Sequence, residues 1–184
     1  MKIAIIGVGT IGAAVAYTLM MTQRNLHIIL CEPHKPNKKR TMGEYYDLLP
    51  VATHTRNKLE VGGGVYQYAD YYLITNGIRR TSIKQSKQSL FKLNYPIVRK
   101  IMAKIPKGKR VFIASNPPNE IVNALDKEGF SNMLAMRECT DTLRELAGDP
   151  QHINNSALKG KGFTQYTPAY AIAMRIFLNE GMRE

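Results

Sequence analysis

The chain has 184 residues, 44% of them hydrophobic and 22% charged, with 14 Gly and 9 Pro. That is enough to bury a core without a disulfide or metal staple, and it excludes collagen-like, disordered and disulfide-scaffold classes. Charge is the unusual feature: 26 Lys and Arg against 14 Asp and Glu give a net +12, a field that draws nucleotides, anionic substrates and polyanions.

In chain order, Lys2–Ile6 is a short apolar run ending in glycine, the mark of a buried strand. Thr10–Gln23 follows as an Ala-rich helix, and His27–Glu32 as a second apolar strand that Pro33 and Pro36 break. Thr41–Leu48 fits a short helix stopped by Pro50. Lys58–Tyr68 is Gly-rich, with one short strand around Glu60–Val61. Tyr71–Thr75 is the third clear strand, and Arg79–Ser86 reads as an exposed loop. Ser89–Ile105 is helical, with Leu90, Leu93, Ile97, Ile101 and Ile105 spaced by three and four. Arg110–Ala114 is a strand, Asn119–Glu128 a helix, Met133–Met136 a strand and Thr140–Ala147 a helix. After a Gly-, Asn- and Pro-rich stretch at Gly148–Gly162, Thr167–Asn179 is a last helix.

Strands alternating with helices define a parallel sheet covered on both faces. The start of the chain is apolar but interrupted by Gly7, Gly9 and Gly12, so it reads as strand and helix rather than signal peptide or membrane span. Cys31 and Cys139 make neither a disulfide framework nor a zinc site and suit a reducing compartment, so a cytoplasmic location is expected. The cations recur as Lys38-Lys39-Arg40, Arg79-Arg80, Lys84, Lys87 and Lys104 through Arg110, without the interleaved aromatics of single-strand binders. Solvated faces are the preferred reading, and a nucleic-acid partner is not expected.

The sharpest motif is Gly7-Val8-Gly9-Thr10-Ile11-Gly12 between the first strand and the first helix. In such a turn the first glycine permits the tight bend, the second lets backbone approach a pyrophosphate, and the third lets helix and strand pack. The helix N-terminus then offers N–H groups to the phosphates. Glu32 lies 20 residues after Gly12, where a carboxylate accepts hydrogen bonds from a ribose. A Rossmann-like doubly wound α/β sheet binding NAD is expected. Glu32 repels the 2′-phosphate of NADP, against which Lys35, Lys38, Lys39 and Arg40 supply opposing charge.

Further segments follow in order: Ala69-Asp70 leading to Ile74-Thr75-Asn76-Gly77, Ala114-Ser115-Asn116-Pro117, Asp141-Thr142-Leu143-Arg144, and Lys159-Gly160-Lys161-Gly162-Phe163-Thr164. Together they resemble the lactate/malate dehydrogenase family, most closely its L-2-hydroxyisocaproate dehydrogenase branch. The resemblance implies hydride transfer between NAD and a 2-hydroxy or 2-keto acid. It implies Arg144 as the carboxylate-binding arginine, Asp141 as the partner of a catalytic histidine, and Asn116 near nicotinamide and substrate oxygen. Thr75, Asn76 and Gly77 fall where cofactor crosses the sheet, and Thr164 lines the substrate pocket. Lys87 falls at the carbonyl-polarising arginine of a mobile loop, with Arg79 or Arg80 as alternative substrate contacts. Lysine there keeps the charge and loses the planar fork.

The family's Gly-Glu-His-Gly segment has no counterpart. His27, His34, His54 and His152 are the only histidines, and none falls at the catalytic position. The chain passes from Ile153-Asn154-Asn155 almost directly to Lys159, so an internal deletion and a shortened C-terminus are expected. Residues 1–150 form the NAD-binding domain on this reading, and 151–184 a remnant of the substrate domain. Cofactor binding is expected to survive and turnover to be weak or absent. The rivals are an active minor dehydrogenase completed by His152 or a neighbouring subunit, and a non-enzymatic basic interaction or nucleic-acid-binding module. Tyr166, Tyr170, Ile172, Ile176, Phe177 and Leu178 on the last helix are expected to present open apolar area and drive homo-oligomerisation.

Overall fold

The computed structural model describes residues 1–22, 25–34, 37–62, 69–79, 85–136 and 166–179. Six strands, β1 (Lys2–Ile6), β2 (His27–Cys31), β3 (Lys58–Gly62), β4 (Tyr71–Ile74), β5 (Arg110–Ile113) and β6 (Met133–Ala135), form one sheet. Their order is β3-β2-β1-β4-β5-β6, and every neighbouring pair is parallel. The helices are α1 (Thr10–Thr22), α2 (Lys38–His54), α3 (Lys87–Met102), α4 (Pro118–Lys127) and α5 (Tyr166–Asn179).

The period of two along each strand sorts side chains between two cores. Ile3, Ile5, Ile28, Leu30, Leu73 and Phe112 join α1, α2 and α5 on one face. Ala4, Ile6, Ile29, Tyr72, Ile74 and Ile113 join α3 and α4 on the other. Covering both faces is why the strands read as unbroken apolar runs. The chain winds outward from β1 to β3, then returns to β4 on the opposite side of β1. That reversal opens a crevice beyond the carboxyl ends of β1 and β4, the place where such sheets hold ligands.

Three expectations change. The second helix does not stop at Pro50: α2 begins at Lys38 and runs through it to His54. The hydrogen bond that proline cannot donate leaves the Tyr46 carbonyl on a solvent-facing turn, where Tyr46 is 63% exposed and water meets the need. The strand around Glu60–Val61 is longer, Lys58–Gly62, because β2 offers it a full register from His27 to Cys31. On α3 the buried stripe is Leu90, Asn94, Val98, Ile101 and Met102, whereas Leu93 is exposed. A polar residue inside the stripe hid its true phase.

The last helix also differs from expectation. Ala169, Ile172, Ala173 and Ile176 are buried in the same core as Ala13, Ala16, Leu19 and Met20 of α1. Ile172 and Ile176 are therefore not open area, and burying each is worth roughly 1.5–3 kcal/mol. Tyr170 remains 44% exposed. Thr140–Ala147 lies outside the described residues.

Candidate dinucleotide site

The site begins where β1 ends. Gly7 has φ +100, and a Cβ there would sit 2.5 Å from the Asn76 backbone nitrogen. Its N–H donates to the Cys31 carbonyl at 2.8 Å, tying the turn to the end of β2. Gly12, in the first turn of α1, is as tightly held, because a Cβ would lie 2.2 Å from the Gly7 carbonyl oxygen. These two glycines are required by packing alone.

Gly9 is different. An added Cβ there meets nothing within 4 Å, while its carbonyl accepts the first helical bond from Ala13 N–H at 2.9 Å. Glycine is thus not needed for the fold at this position. Gly9 immediately precedes α1, so a phosphate held there would meet the helix's first N–H groups and its positive dipole end.

On one flank stands Glu32, 8% exposed at the tip of β2, where its Oε1 accepts from the His34 N–H at 2.9 Å. That bond fixes a carboxylate beside Gly7, as ribose recognition requires. Next to it Cys31 is fully covered; burial and the nearby Glu60 charge push its thiol up to about 12. It is a packed side chain and not a redox thiol at neutral pH.

On the other flank Thr75 and Asn76 donate backbone N–H groups to the Ile6 carbonyl at 2.9 and 3.1 Å. The Thr75 hydroxyl donates to the Gly7 carbonyl, and the Ser115 hydroxyl to that of Asn76. Asn76 Oδ1 is buried without a hydrogen-bond partner, and its side-chain carbon Cγ would lie 2.9 Å from a Cβ placed on Gly7. Gly77 packs with room for a Cβ only 3.2 Å from Asn94.

Asn94 is the residue that sequence reasoning missed. It is 1% exposed, accepts from Ile78 N–H at 2.6 Å, and donates to the carbonyls of Ile78 at 3.1 Å and Asn116 at 2.7 Å. One amide thereby joins the loops after β4 and β5. An asparagine four residues after Leu90 on an apolar stripe was the available signal. Asn116 itself is exposed, ahead of a cis bond to Pro117. Lys87 is the first residue of α3, exposed at the same end of the sheet, where a cation gains nothing from the helix dipole.

Arg40 bears on the choice between NAD and NADP. Its Nη2 lies 3.4 Å from Thr10 Oγ1 and its Nε 3.4 Å from Glu44 Oε1. The guanidinium is therefore held at the start of α1, by the phosphate end of the opening. It borders a cleft of about 490 Å³ between α1 and α2 that Ala13, Tyr17 and Leu48 also line. Arg80, Asp141, Arg144 and Thr164 lie outside the described residues, as do Cys139 and His152. Among the described residues no cluster of His, Cys, Asp and Glu could hold a metal, and no helix is long and apolar enough to cross a membrane.

The glycine turn, the acid at the tip of β2 and the crevice at the reversal of strand order define a Rossmann dinucleotide-binding domain. Residues 1–136 match the NAD-binding domain of the lactate/malate dehydrogenases. The chain belongs to that family, and its cofactor is NAD. It is 32% identical over 169 residues to L-lactate dehydrogenase 2 of Enterococcus faecalis, covering 83% of this chain and 52% of that protein. It is 30% identical over 133 residues to L-lactate dehydrogenase of Pseudothermotoga lettingae, covering 70% and 41%. The fold is similar to malate dehydrogenase of Archaeoglobus fulgidus in complex with NADH, with a TM-score of 0.77 at 19% identity over 100% of this chain and 79% of that one. The chain spans about half the length of the curated relatives it matches.

Proposed function

We propose that this chain holds NAD(H) in the manner of a 2-hydroxy acid dehydrogenase while turning over poorly by itself. The observation that carries the reading is the opening at Gly9, which the fold leaves empty of side chain immediately before α1. Gly7, Val8, Gly9, Thr10, Ile11 and Gly12 would cradle the pyrophosphate, Glu32 the adenosine ribose, and Thr75, Asn76, Gly77 and Asn116 the nicotinamide half. When bound, NAD accepts hydride from a 2-hydroxy acid and NADH returns it to a 2-keto acid.

On the substrate side, Arg144 would grip the carboxylate as a bidentate fork. Lys87 or Arg80 would set positive charge toward the carbonyl, and Thr164 would line the pocket. By the family resemblance Asp141 would orient an imidazole, which this sequence does not supply at the matching position. Loss of a general acid/base removes about 10²–10⁴-fold of rate. A cytoplasmic homo-oligomer acting on small 2-keto or 2-hydroxy acids completes the proposal, and the isocaproate branch makes 2-ketoisocaproate one substrate to try.

The test loads the chain with NADH and adds pyruvate, oxaloacetate and 2-ketoisocaproate in turn, following NADH absorbance. Bound NADH with at most slow oxidation is expected. Rapid oxidation would overturn the argument from the missing histidine and direct attention to His152 or a neighbouring subunit.

A further inference from the structure

We propose that the sheet edge opposite the dinucleotide site is a docking surface for double-stranded nucleic acid, engaged through its phosphate backbone. All strands are parallel, so their first residues share one edge. Lys58 opens β3, Lys2 opens β1 and Arg110 opens β5. The turn from α3 to β5 adds Lys104, Lys107 and Lys109 to that edge, Lys104 and Lys107 exposed. From Arg99 through Asn119 the chain contains no Asp or Glu. Cations far apart in sequence, which looked dispersed along the chain, are gathered here by the topology.

Two structural explanations account for only part of the cluster. A basic residue in the last turn of a helix answers its dipole, which covers Arg99 and Lys100 on α3. It does not cover Lys104, Lys107 and Lys109, which lie beyond that helix. Lys58 and Arg99 are themselves paired, Lys58 Nζ 3.4 Å from Glu60 and Arg99 Nε 2.6 Å from Glu128, so Lys104, Lys107 and Lys109 carry the surface.

The surroundings select the occupant. Four strand spacings separate β3 from β5, roughly 19 Å, a length along which duplex DNA presents about eleven charges. The α3–β5 turn exposes no large apolar side chain to insert into a lipid surface, since Ile105 is buried. It also exposes no aromatic ring on which the bases of a single strand would stack. A duplex needs neither.

The experiment is fluorescence anisotropy of the full chain with labelled random-sequence DNA and RNA duplexes of about 20 base pairs, titrated between about 50 and 200 mM salt. Micromolar binding is expected, with about four phosphate contacts weakening it roughly 10²-fold across that range. The double reversal Lys104→Glu/Lys107→Glu should weaken binding by at least about 30-fold and lower the salt slope by about 1.8. Lys38→Glu/Lys39→Glu, at the opposite end with the same change in charge, should weaken it by less than about threefold. Saturating NADH should leave duplex binding unchanged, since the two sites occupy opposite ends of the strands. Circular dichroism melts confirm that both variants are folded. Equal loss in the two variants, displacement of duplex by NADH, no duplex binding at the lower salt, or capture by phosphatidylserine vesicles without duplex binding would each overturn the proposal.

Discussion

Gly9→Ala and Gly12→Ala separate cofactor recognition from folding. At Gly12 the new Cβ would lie 2.2 Å from the Gly7 carbonyl oxygen and 2.8 Å from Thr75 Oγ1. The first contact is with backbone, so α1 must move off the end of β1. Overpacking of that kind costs about 1–3 kcal/mol or more, a fall of roughly 2–12 °C in Tm for a domain of this size. At Gly9 the same methyl meets nothing within 4 Å, so Tm should hold or rise by a degree or two as the unfolded chain loses freedom. The methyl instead occupies the space into which a pyrophosphate must come. A clash of about 1–3 kcal/mol there weakens NADH by roughly 5–150-fold. Calorimetry and NADH fluorescence titration on both variants read the two effects. A folded Gly9→Ala protein that binds NADH like the parent would refute the placement of the phosphates. An unstable one would refute the claim that the fold does not need glycine there.

Glu32→Gln removes the charge at the tip of β2, and competition binding should show weaker NADH and a narrowed gap between NADH and NADPH, by about tenfold. Asn94→Ala leaves the Ile78 N–H and the Asn116 carbonyl without their partner. Denaturant melts should show a loss of about 1–3 kcal/mol per orphaned group, with NADH affinity falling alongside. The Cys31 thiol, held near 12 by burial, should resist a disulfide reagent at about pH 8 in a Cys139→Ser background and react on unfolding. Its native value lies above the unfolded one, so the native state keeps its proton while the unfolded chain loses it. Stability from this group is therefore intact below about pH 8.5 and declines as pH rises toward about 12. A Cys31→Ala variant should flatten that alkaline decline.

The sheet was legible in the sequence because each strand is buried on both faces and so reads as an uninterrupted apolar run between turn residues. The phosphate turn was legible because three glycines with different duties sit at fixed spacing, although only the structure separates Gly7 and Gly12, demanded by packing, from Gly9, which is not. Pro50 misled because a proline's missing bond matters little where its carbonyl partner faces water. Asn94 stayed hidden because its duty is to two loops distant in sequence, one of them 22 residues away. Ile172 and Ile176 were misplaced because their cover is α1, some 150 residues earlier in the chain, and periodicity within a helix does not reveal which surface meets it. The cations of the far edge were likewise visible one by one, while their gathering depends on all strands starting at the same end.

The most direct test of the account is equilibrium titration of the unmodified chain with NADH, followed by displacement with NAD. Saturable binding that NAD reverses, accompanied by a rise in Tm, is the predicted result. A chain that melts cooperatively yet shows neither fluorescence change nor stabilisation at millimolar NADH would contradict it.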